Sequence, residues 1–217
     1  MRSESTRALG QPRLTNPTFP HINTSNLGCG ILTPGHRPDH PSSDPGGPPG
    51  MRCFIAVPVP PALAVTLGQQ AVPDQGRRSA ATDLHLTLAF LGERDPDWAR
   101  RLWPALAGLA AATPAFNLTL TEIGPFPHRE GRIWAARAEP APPLMGLHRN
   151  LWRCLEESGV AGEERAFLPH VTLARLPGPT RAAPVPGPWH LPVTELVFQE
   201  SPPDGGGYRT LKRWALQ

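Results

Sequence analysis

The sequence predicts an α+β domain made of two lobes, and two observations support this class. From residue 51 onward, segments with the two-residue alternation of strands are interspersed with segments of helical spacing. Two of the predicted strands, at residues 84–91 and 168–176, carry the same short pattern of histidine, apolar residue, threonine and apolar residue. Two lobes that each contain one such strand are the most economical packing.

The first 50 residues differ in composition from the rest of the chain. Proline, glycine, serine, threonine and asparagine dominate them, and the stretch closes with HPSSDPGGPPG. We therefore expect residues 1–50 to form a disordered extension and residues 51–217 to form the folded domain. Because Met51 opens the first apolar segment, we also expect it to be an alternative start of translation.

The first half of the folded part reads as two strand–helix units. A strand at 52–59 precedes a helix at 60–71, whose initial prolines suit a first helical turn. The strand at 84–91 is followed by a helix at 95–112 that is rich in alanine, leucine and tryptophan. Pro104 can kink that second helix.

The second half adds two predicted hairpins around a helix and the second motif strand. FNLTLTEI and RIWAARAE are predicted to pair across the turn-like GPFPHREG. A helix at 144–158 then ends before Gly159, and the strand at 168–176 follows. Strands at 194–201 and 208–216 flank PPDGGG and complete the domain.

Composition limits the classes of function. The formal net charge is only +3, but Lys212 is the single lysine, and the arginine side chain suits phosphate geometry. A biased genome composition that enriches arginine and proline together explains the arginines equally well. No apolar run reaches the roughly 18 residues of a membrane span.

The cysteines indicate a reducing compartment, the cytoplasm. Cys29, Cys53 and Cys154 are odd in number and widely spaced, which is typical of neither a disulfide framework nor a zinc cluster. We expect Cys53 and Cys154 to behave as small buried apolar residues.

The paired motifs place four polar side chains on two strand faces. Strand alternation sends His85 and Thr87 to one face and the neighbouring leucines to the other. His170 and Thr172 share a face in the same way. If the two faces meet, they form a cleft that holds two imidazoles and two hydroxyls.

Such a cleft is suited to acid/base chemistry on an activated phosphodiester. One neutral imidazole accepts a proton from water, and the other, as imidazolium, donates a proton to the leaving oxygen. Threonine hydroxyls donate hydrogen bonds to phosphate oxygens without adding charge. This chemistry requires neither a metal nor a covalent intermediate. The motifs alone leave open which histidine is the acid.

These residues resemble the two His-x-Thr-x motifs of the 2H phosphoesterase superfamily. MRCFIAVPVP, LAFLGE, PHVTLAR and LVFQESPPDGGGYRTLKRW are similar to segments of its RNA 2',3'-cyclic phosphodiesterase family, also called 2'-5' RNA ligases or LigT-like proteins. The resemblance covers residues 51–217 and implies a bilobal fold with pseudo-two-fold symmetry and a central cleft.

The resemblance also implies the activity and the residue roles. RNA ending in a 2',3'-cyclic phosphate would be hydrolysed to a 2'-phosphomonoester by a monomer that needs no cofactor or metal. His85 would be the general acid and His170 the general base. Thr87, Thr172 and Arg175 would bind the phosphate. The same site run in reverse would form a 2'-5' linkage.

Arg175 presents a difficulty of strand geometry. It lies five residues after His170, so a regular strand would point it to the opposite face. We expect either a bend or bulge in the strand or a long side chain that reaches over the rim.

Three further histidines and three aromatic residues are weaker candidates. His128 is predicted in an exposed turn, His148 on a solvated helix face and His190 in a proline-rich loop. Trp134 and Phe90 are either core residues or platforms for base stacking. Tyr208 matches a tyrosine of the family's last hairpin and is expected to be structural.

Three alternative functions compete with this activity. The first alternative is a cyclic phosphodiesterase that acts on small nucleotides, such as ADP-ribose cyclic phosphates or 2'-5' oligonucleotides. A non-catalytic binder of RNA ends is disfavoured because a binder has no need of two proton-transfer groups. A metal site built from Asp83, His85 and His170 has too few ligands.

Overall fold

The structure, a computed structural model, describes residues 50–70, 72–163, 165–203 and 207–217. The predicted disorder of the N-terminal extension falls on residues 1–49, which lie outside the described residues. The expected start of translation at Met51 stays a prediction.

The described residues form helices and strands close to the predicted ones. The α-helices are Pro61–Gly68 (α1), Pro96–Ala111 (α2) and Pro142–Glu157 (α3), and Ala81–Asp83 forms a short 3-10 helix. The strands are Met51–Pro58 (β1), Arg77–Arg78 (β2), His85–Arg94 (β3), Phe116–Phe126 (β4), Ile133–Ala138 (β5), His170–Arg175 (β6), Val185–Val193 (β7), Glu195–Ser201 (β8) and Arg209–Ala215 (β9).

The strands form an antiparallel sheet in which the two motif strands are neighbours at the centre. The order is β7-β4-β5-β6-β3-β1-β8-β9, and β2 pairs with β6 beside this path. The unit β1-α1-β3 on one side corresponds to β5-α3-β6 on the other, and each unit ends in a motif strand. Beyond these units, β4 and β7 extend the sheet next to β5, and β8 and β9 extend it next to β1. The predicted α+β class with two pseudo-symmetric lobes is confirmed.

The helices supply the apolar core on one face of the sheet. Helix α3 buries leucines at three- and four-residue spacing, which places them on one stripe: Leu144, Leu147, Leu151 and Leu155. The chain leaves α3 through Gly159, whose φ of +83° is a left-handed conformation that glycine adopts without strain. A second, small cluster of Phe54, Ala56 and Val197 is separate from this core.

One segment predicted as a loop is an edge strand. Val185–Val193 contains three prolines, yet it pairs with β4 at the edge of the sheet, where one side of the strand needs no partner. His190, expected in a loop, therefore lies on β7 opposite Thr119. Helix α2, for its part, continues through Pro104.

Candidate active site

The two motif strands meet at a single backbone pair, Leu86 with Val171. An antiparallel register through this pair places His85 beside Thr172 and Thr87 beside His170. The apolar residues of both motifs are buried, whereas the two histidines and the two threonines are half-buried. The predicted separation of polar and apolar faces is therefore present in both strands.

A main-chain carbonyl fixes the tautomer of each motif histidine. Nδ1 of His85 lies 2.7 Å from the carbonyl oxygen of Asp83, and Nδ1 of His170 lies 2.8 Å from that of Leu168. Because a carbonyl can only accept, Nδ1 carries the hydrogen in both rings. Nε2 is then the nitrogen left for proton exchange with a substrate.

Aromatic rings pack against both motif imidazoles. Phe54 and Tyr208 pack on His85 with centroid distances of 4.8 and 5.1 Å. Phe126 stacks on His170 at 3.9 Å and 25°. The sequence had suggested only a structural role for Tyr208 and had not singled out Phe54 or Phe126, because these contacts join residues that are far apart in the chain.

Arg137 contacts the aromatic ring that stacks on His170. Its guanidinium lies 5.1 Å from the centre of the Phe126 ring, and its Nε pairs with Glu122 at 2.8 Å. The cation thereby braces the ring that stacks on His170. No motif in the sequence singles out Arg137, which is one of two arginines in the segment RIWAARAE.

Burial lowers the pKa of both motif histidines, and their charged neighbours differ. For His85, desolvation is the main cause, the carbonyl and carboxylate of Asp83 oppose it, and His170 and Arg175 lower the pKa further. For His170, desolvation again lowers the pKa most, the Leu168 carbonyl opposes it, and Arg137 and Arg175 add to the lowering. Only His85 therefore has a carboxylate that favours its charged form.

A β-bulge resolves the geometric difficulty at Arg175. In the pairing of β6 with β5, Thr172 lies opposite Ala135 and Ala174 lies opposite Trp134, so Leu173 is the extra residue. Beyond the bulge, Arg175 returns to the face that carries His170 and Thr172. It lines the same cavity as His85 and Thr172. Of the two expected explanations, the bulge is the one observed.

The cavity beside His85 has a volume of about 220 Å³ and is lined by residues of both charge signs. Its basic lining residues are Arg77, Arg78 and Arg175, and the backbone of Arg77 in β2 pairs with that of Arg175 in β6. Nη1 of Arg78 donates a hydrogen bond to the carbonyl oxygen of Gly68 at 3.0 Å. Asp83 lies elsewhere in the wall, where its Oδ1 accepts a hydrogen bond from the backbone N–H of Tyr208 at 3.2 Å. Arg77 and Arg78 were not among the predicted site residues, and their only signal in the sequence is the adjacent pair RR.

The weaker histidine candidates lie away from this site. His128 is exposed in the β4–β5 turn, as predicted. The solvated face predicted for His148 is wrong, because its ring stacks on Phe167 at 3.8 Å and accepts a hydrogen bond from Nε1 of Trp152 at 3.0 Å. This histidine is part of the packing between α3 and the segment that leads to β6.

The remaining candidates divide between core and surface. Trp134 is buried in the core, whereas Phe90 is 67% exposed. Cys53 is buried, and desolvation raises the pKa of its thiol to about 12, as expected for an inert core cysteine. Cys154 is half-buried, and burial likewise raises its pKa.

Two features are absent from the described residues. They contain no group of three or more histidine, cysteine, aspartate or glutamate side chains arranged to hold a metal ion. None of their helices is long and apolar enough to cross a membrane.

Comparisons with known sequences point to one family. The family model of the 2'-5' RNA ligase superfamily matches residues 59–200. The chain is 38% identical over 147 residues to the RNA 2',3'-cyclic phosphodiesterase of Escherichia coli, a match that covers 66% of this chain and 82% of the relative. It is 36% identical over 185 residues to the enzyme of the same name from Thermus thermophilus, covering 77% and 91%.

Solved structures give the same result. Escherichia coli LigT complexed with 3'-AMP has a TM-score of 0.65 and 34% sequence identity, over 78% of this chain and 99% of LigT. A Thermus thermophilus protein has a TM-score of 0.66 and 31% identity, over 76% of this chain and 98% of its own.

Proposed function

The chain belongs to the 2'-5' RNA ligase superfamily, and from this premise we propose that it hydrolyses the 2',3'-cyclic phosphate at the end of an RNA strand to a 2'-phosphomonoester. Relatives from Escherichia coli and Thermus thermophilus are named for activity on this group. The observation that carries the proposal is the pair of histidines on adjacent strands. Each has Nδ1 at a main-chain carbonyl and Nε2 left for proton transfer.

The reaction divides between the two histidines. Neutral His170 takes a proton from water as the water oxygen attacks phosphorus, and the bond from phosphorus to the 3' oxygen breaks. Protonated His85 gives its proton to that 3' oxygen, which leaves as a hydroxyl. The 2' oxygen keeps the phosphate. Each turnover leaves His170 protonated and His85 neutral, and exchange with solvent resets both.

The charged neighbours of the histidines support this direction. The Asp83 carboxylate favours the charged form of His85, as a general acid requires. His170 has Arg137 and Arg175 near it, and both cations favour its neutral form, as a general base requires. Burial lowers the pKa of both rings and so does not distinguish them.

Hydroxyls and an arginine bind the phosphate in this mechanism. Thr172 lies beside His85 and Thr87 beside His170, so each imidazole has a hydroxyl next to it that can donate to a phosphate oxygen. Arg175 lines the cavity with His85 and Thr172 and can neutralise charge that develops on the phosphate. These groups supply proton transfer and charge stabilisation without a metal ion.

RNA is the favoured substrate because the cavity has a basic rim. Arg77 adds a second cation next to Arg175, which is more positive charge than a single cyclic phosphate needs. A small cyclic nucleotide is the second candidate, since LigT, a structural neighbour, was crystallised with 3'-AMP. Ligation to a 2'-5' linkage is the reverse reaction at the same site, and hydrolysis prevails in dilute aqueous solution.

Both motif strands belong to one chain, so the active unit we propose is a monomer. Its cysteines give no sign of a disulfide framework, which fits the reducing cytoplasm. Sedimentation equilibrium at micromolar concentration tests the first point, because a stable dimer would contradict it.

The function is tested with an oligoribonucleotide that ends in a 2',3'-cyclic phosphate, incubated with the full chain in excess chelator. We expect turnover to the 2'-phosphate alone. A 3'-phosphate product would reverse the leaving oxygen and reject the proposed geometry. Turnover of cyclic mononucleotides with none of the oligonucleotide would establish the small-nucleotide alternative.

A further inference from the structure

Asp83 contacts two separate parts of the active site through two different groups. Its carbonyl oxygen lies 2.7 Å from Nδ1 of His85, and its carboxylate oxygen Oδ1 accepts a hydrogen bond from the backbone N–H of Tyr208 at 3.2 Å. Tyr208 lies 125 residues further along the chain, directly before β9. One half-buried residue therefore joins the start of a motif strand to a distant segment of the chain.

Tyr208, which this carboxylate holds, packs on the proposed general acid. Its ring contacts His85 edge-on, with a centroid distance of 5.1 Å and an interplanar angle of 83°. It also contacts Phe54 at 4.9 Å, and Phe54 lies 4.8 Å from His85. The three rings therefore contact one another in pairs, and the position of the Tyr208 backbone determines the contacts that its own ring makes.

The backbone before Tyr208 packs closely against the Asp83 carboxylate. A Cβ at Gly207 would lie 3.3 Å from Oδ1 and 3.4 Å from Oδ2 of Asp83. The φ of Gly207 is +95°, a left-handed conformation that glycine adopts without strain. Glycine in one segment and aspartate in the other therefore allow the two segments to meet at this distance.

The second motif has the carbonyl contact but not the carboxylate. Leu168 stands two residues before His170, as Asp83 stands two residues before His85, and its carbonyl oxygen likewise contacts Nδ1. The Leu168 side chain is apolar and 51% exposed, so it offers no acceptor to another segment. The carboxylate therefore distinguishes the two pseudo-symmetric halves, and it belongs to the half that contains the proposed acid.

We propose that Asp83 is a positioning residue for the general acid His85. This inference rests on the proposed function and deepens it. The carbonyl fixes the tautomer of the ring, and the carboxylate holds the backbone of Gly207 and Tyr208 so that the Tyr208 ring packs on His85. The imidazole is then held at Nδ1 and against two aromatic rings, so Nε2 keeps one position for proton donation.

The same carboxylate also supplies a negative charge next to the acid. It favours the protonated form of His85, whereas burial, which is the largest effect, His170 and Arg175 lower the pKa of that ring. The other charged or titratable groups around His85 are Tyr208, His170, Arg77, Arg78 and Arg175. Among the described residues that line this cavity, Asp83 is the only one with a carboxylate.

Two substitutions of Asp83 separate its hydrogen bond from its charge. Asp83→Asn keeps an oxygen that can accept from the N–H of Tyr208 but removes the charge, whereas Asp83→Ala removes both. Both variants keep the main-chain carbonyl that contacts His85. Asp97→Asn is the matched control for the loss of one carboxylate, because the Asp97 side chain is 75% exposed on α2.

The first measurement is nuclear magnetic resonance of the full chain without substrate. We expect the imidazole nitrogen shifts of His85 to show hydrogen on Nδ1 in the neutral ring of the wild type and of both Asp83 variants. The titration of His85 is expected to move to lower pH in both, because the charge that favours its protonated form is gone. The amide hydrogen of Tyr208 is expected to exchange faster in Asp83→Ala alone.

The second measurement is steady-state turnover of the oligoribonucleotide that ends in a cyclic phosphate. Asp83→Ala is expected to lower kcat by about 10- to 100-fold with little change in KM, because a displaced imidazole donates its proton less effectively. Asp83→Asn, compared at its own pH optimum, is expected to recover most of this loss. Asp97→Asn is expected to match the wild type in both measurements.

Four results would overturn this role. His85 titrates in Asp83→Asn as in the wild type, or the Tyr208 amide exchanges in Asp83→Ala at the wild-type rate. The two Asp83 variants lose the same activity at their own pH optima, or the loss is confined to KM, which indicates direct contact with the substrate. The proposed function fails separately, if the wild type does not turn over the oligonucleotide. The magnetic resonance results would then still establish or reject the contacts of Asp83 with His85 and Tyr208.

Discussion

Each of the two catalytic candidates is oriented by the residue two positions before the first residue of its strand. Asp83 and Leu168 both present a carbonyl to the Nδ1 of the histidine two residues later. This contact needs only the local turn into the strand, so each half builds it independently. The imidazole then offers the same nitrogen, Nε2, from either side.

Replacement of either histidine is expected to abolish most activity without unfolding the domain. In His85→Ala and His170→Ala, loss of one proton-transfer group lowers kcat/KM by about 100- to 10,000-fold. Both side chains lie on the face opposite the main core, so the thermal midpoint changes little. Steady-state kinetics and thermal unfolding by circular dichroism measure the two effects.

His128→Ala is the matched control for these variants. This histidine is exposed in the β4–β5 turn and is expected to be dispensable. Near-wild-type turnover in the His85 or His170 variant would remove that residue from the mechanism.

At the scale of elements, the bulges in β3 and β6 are what assemble the site. Each inserts one residue after the motif threonine, so the residue five positions after the histidine rejoins the histidine face. Without them, Arg175 and Phe90 would point toward the core. Alternation alone cannot predict such an insertion, because the bulge is defined by pairing with a partner strand.

Helix α3 makes the stability of the fold depend on pH through His148. Burial lowers the pKa of this histidine below its ordinary value of 6.5. The unfolded chain therefore binds the proton first as the pH falls, and the stability contributed by the neutral ring is lost below about pH 6.5.

The variant His148→Gln is expected to lose less stability between pH 7 and pH 5 than the wild type. Glutamine keeps an acceptor for Nε1 of Trp152 but does not titrate in this range. Urea unfolding at both pH values gives the two differences in the free energy of unfolding. An equal difference in both proteins would show that His148 does not contribute, and His128→Gln controls for loss of an exposed histidine.

For the whole molecule, the sequence was sufficient to predict the two-lobed α+β class, the order of most helices and strands, and the polar face of each motif strand. These follow from local periodicity and from a repeated motif. Residues that depend on distant pairing were missed, such as Arg77, which β2 places beside Arg175, and Phe126, which stacks on His170. Strand β7 was missed because its prolines are tolerated only at a sheet edge, and edge position is a property of the assembled sheet.

The two-histidine site predicts a bell-shaped dependence of kcat/KM on pH with its maximum below pH 6.5. One histidine must be neutral and the other protonated, and burial lowers the pKa of both from the ordinary value of 6.5. Initial rates across pH 4.5 to 9 at constant ionic strength measure the profile. A rate that rises continuously into the alkaline range would contradict paired acid/base catalysis.

The assignment of His85 as the acid and His170 as the base is tested most directly with a substrate in which sulfur replaces the 3' oxygen of the cyclic phosphate. A thiolate leaves without protonation, so the general acid becomes dispensable while the general base does not. We expect His85→Ala to hydrolyse this substrate at close to the wild-type rate and His170→Ala to stay inactive. Rescue of His170→Ala instead, or of neither variant, would contradict His85 as the acid and His170 as the base.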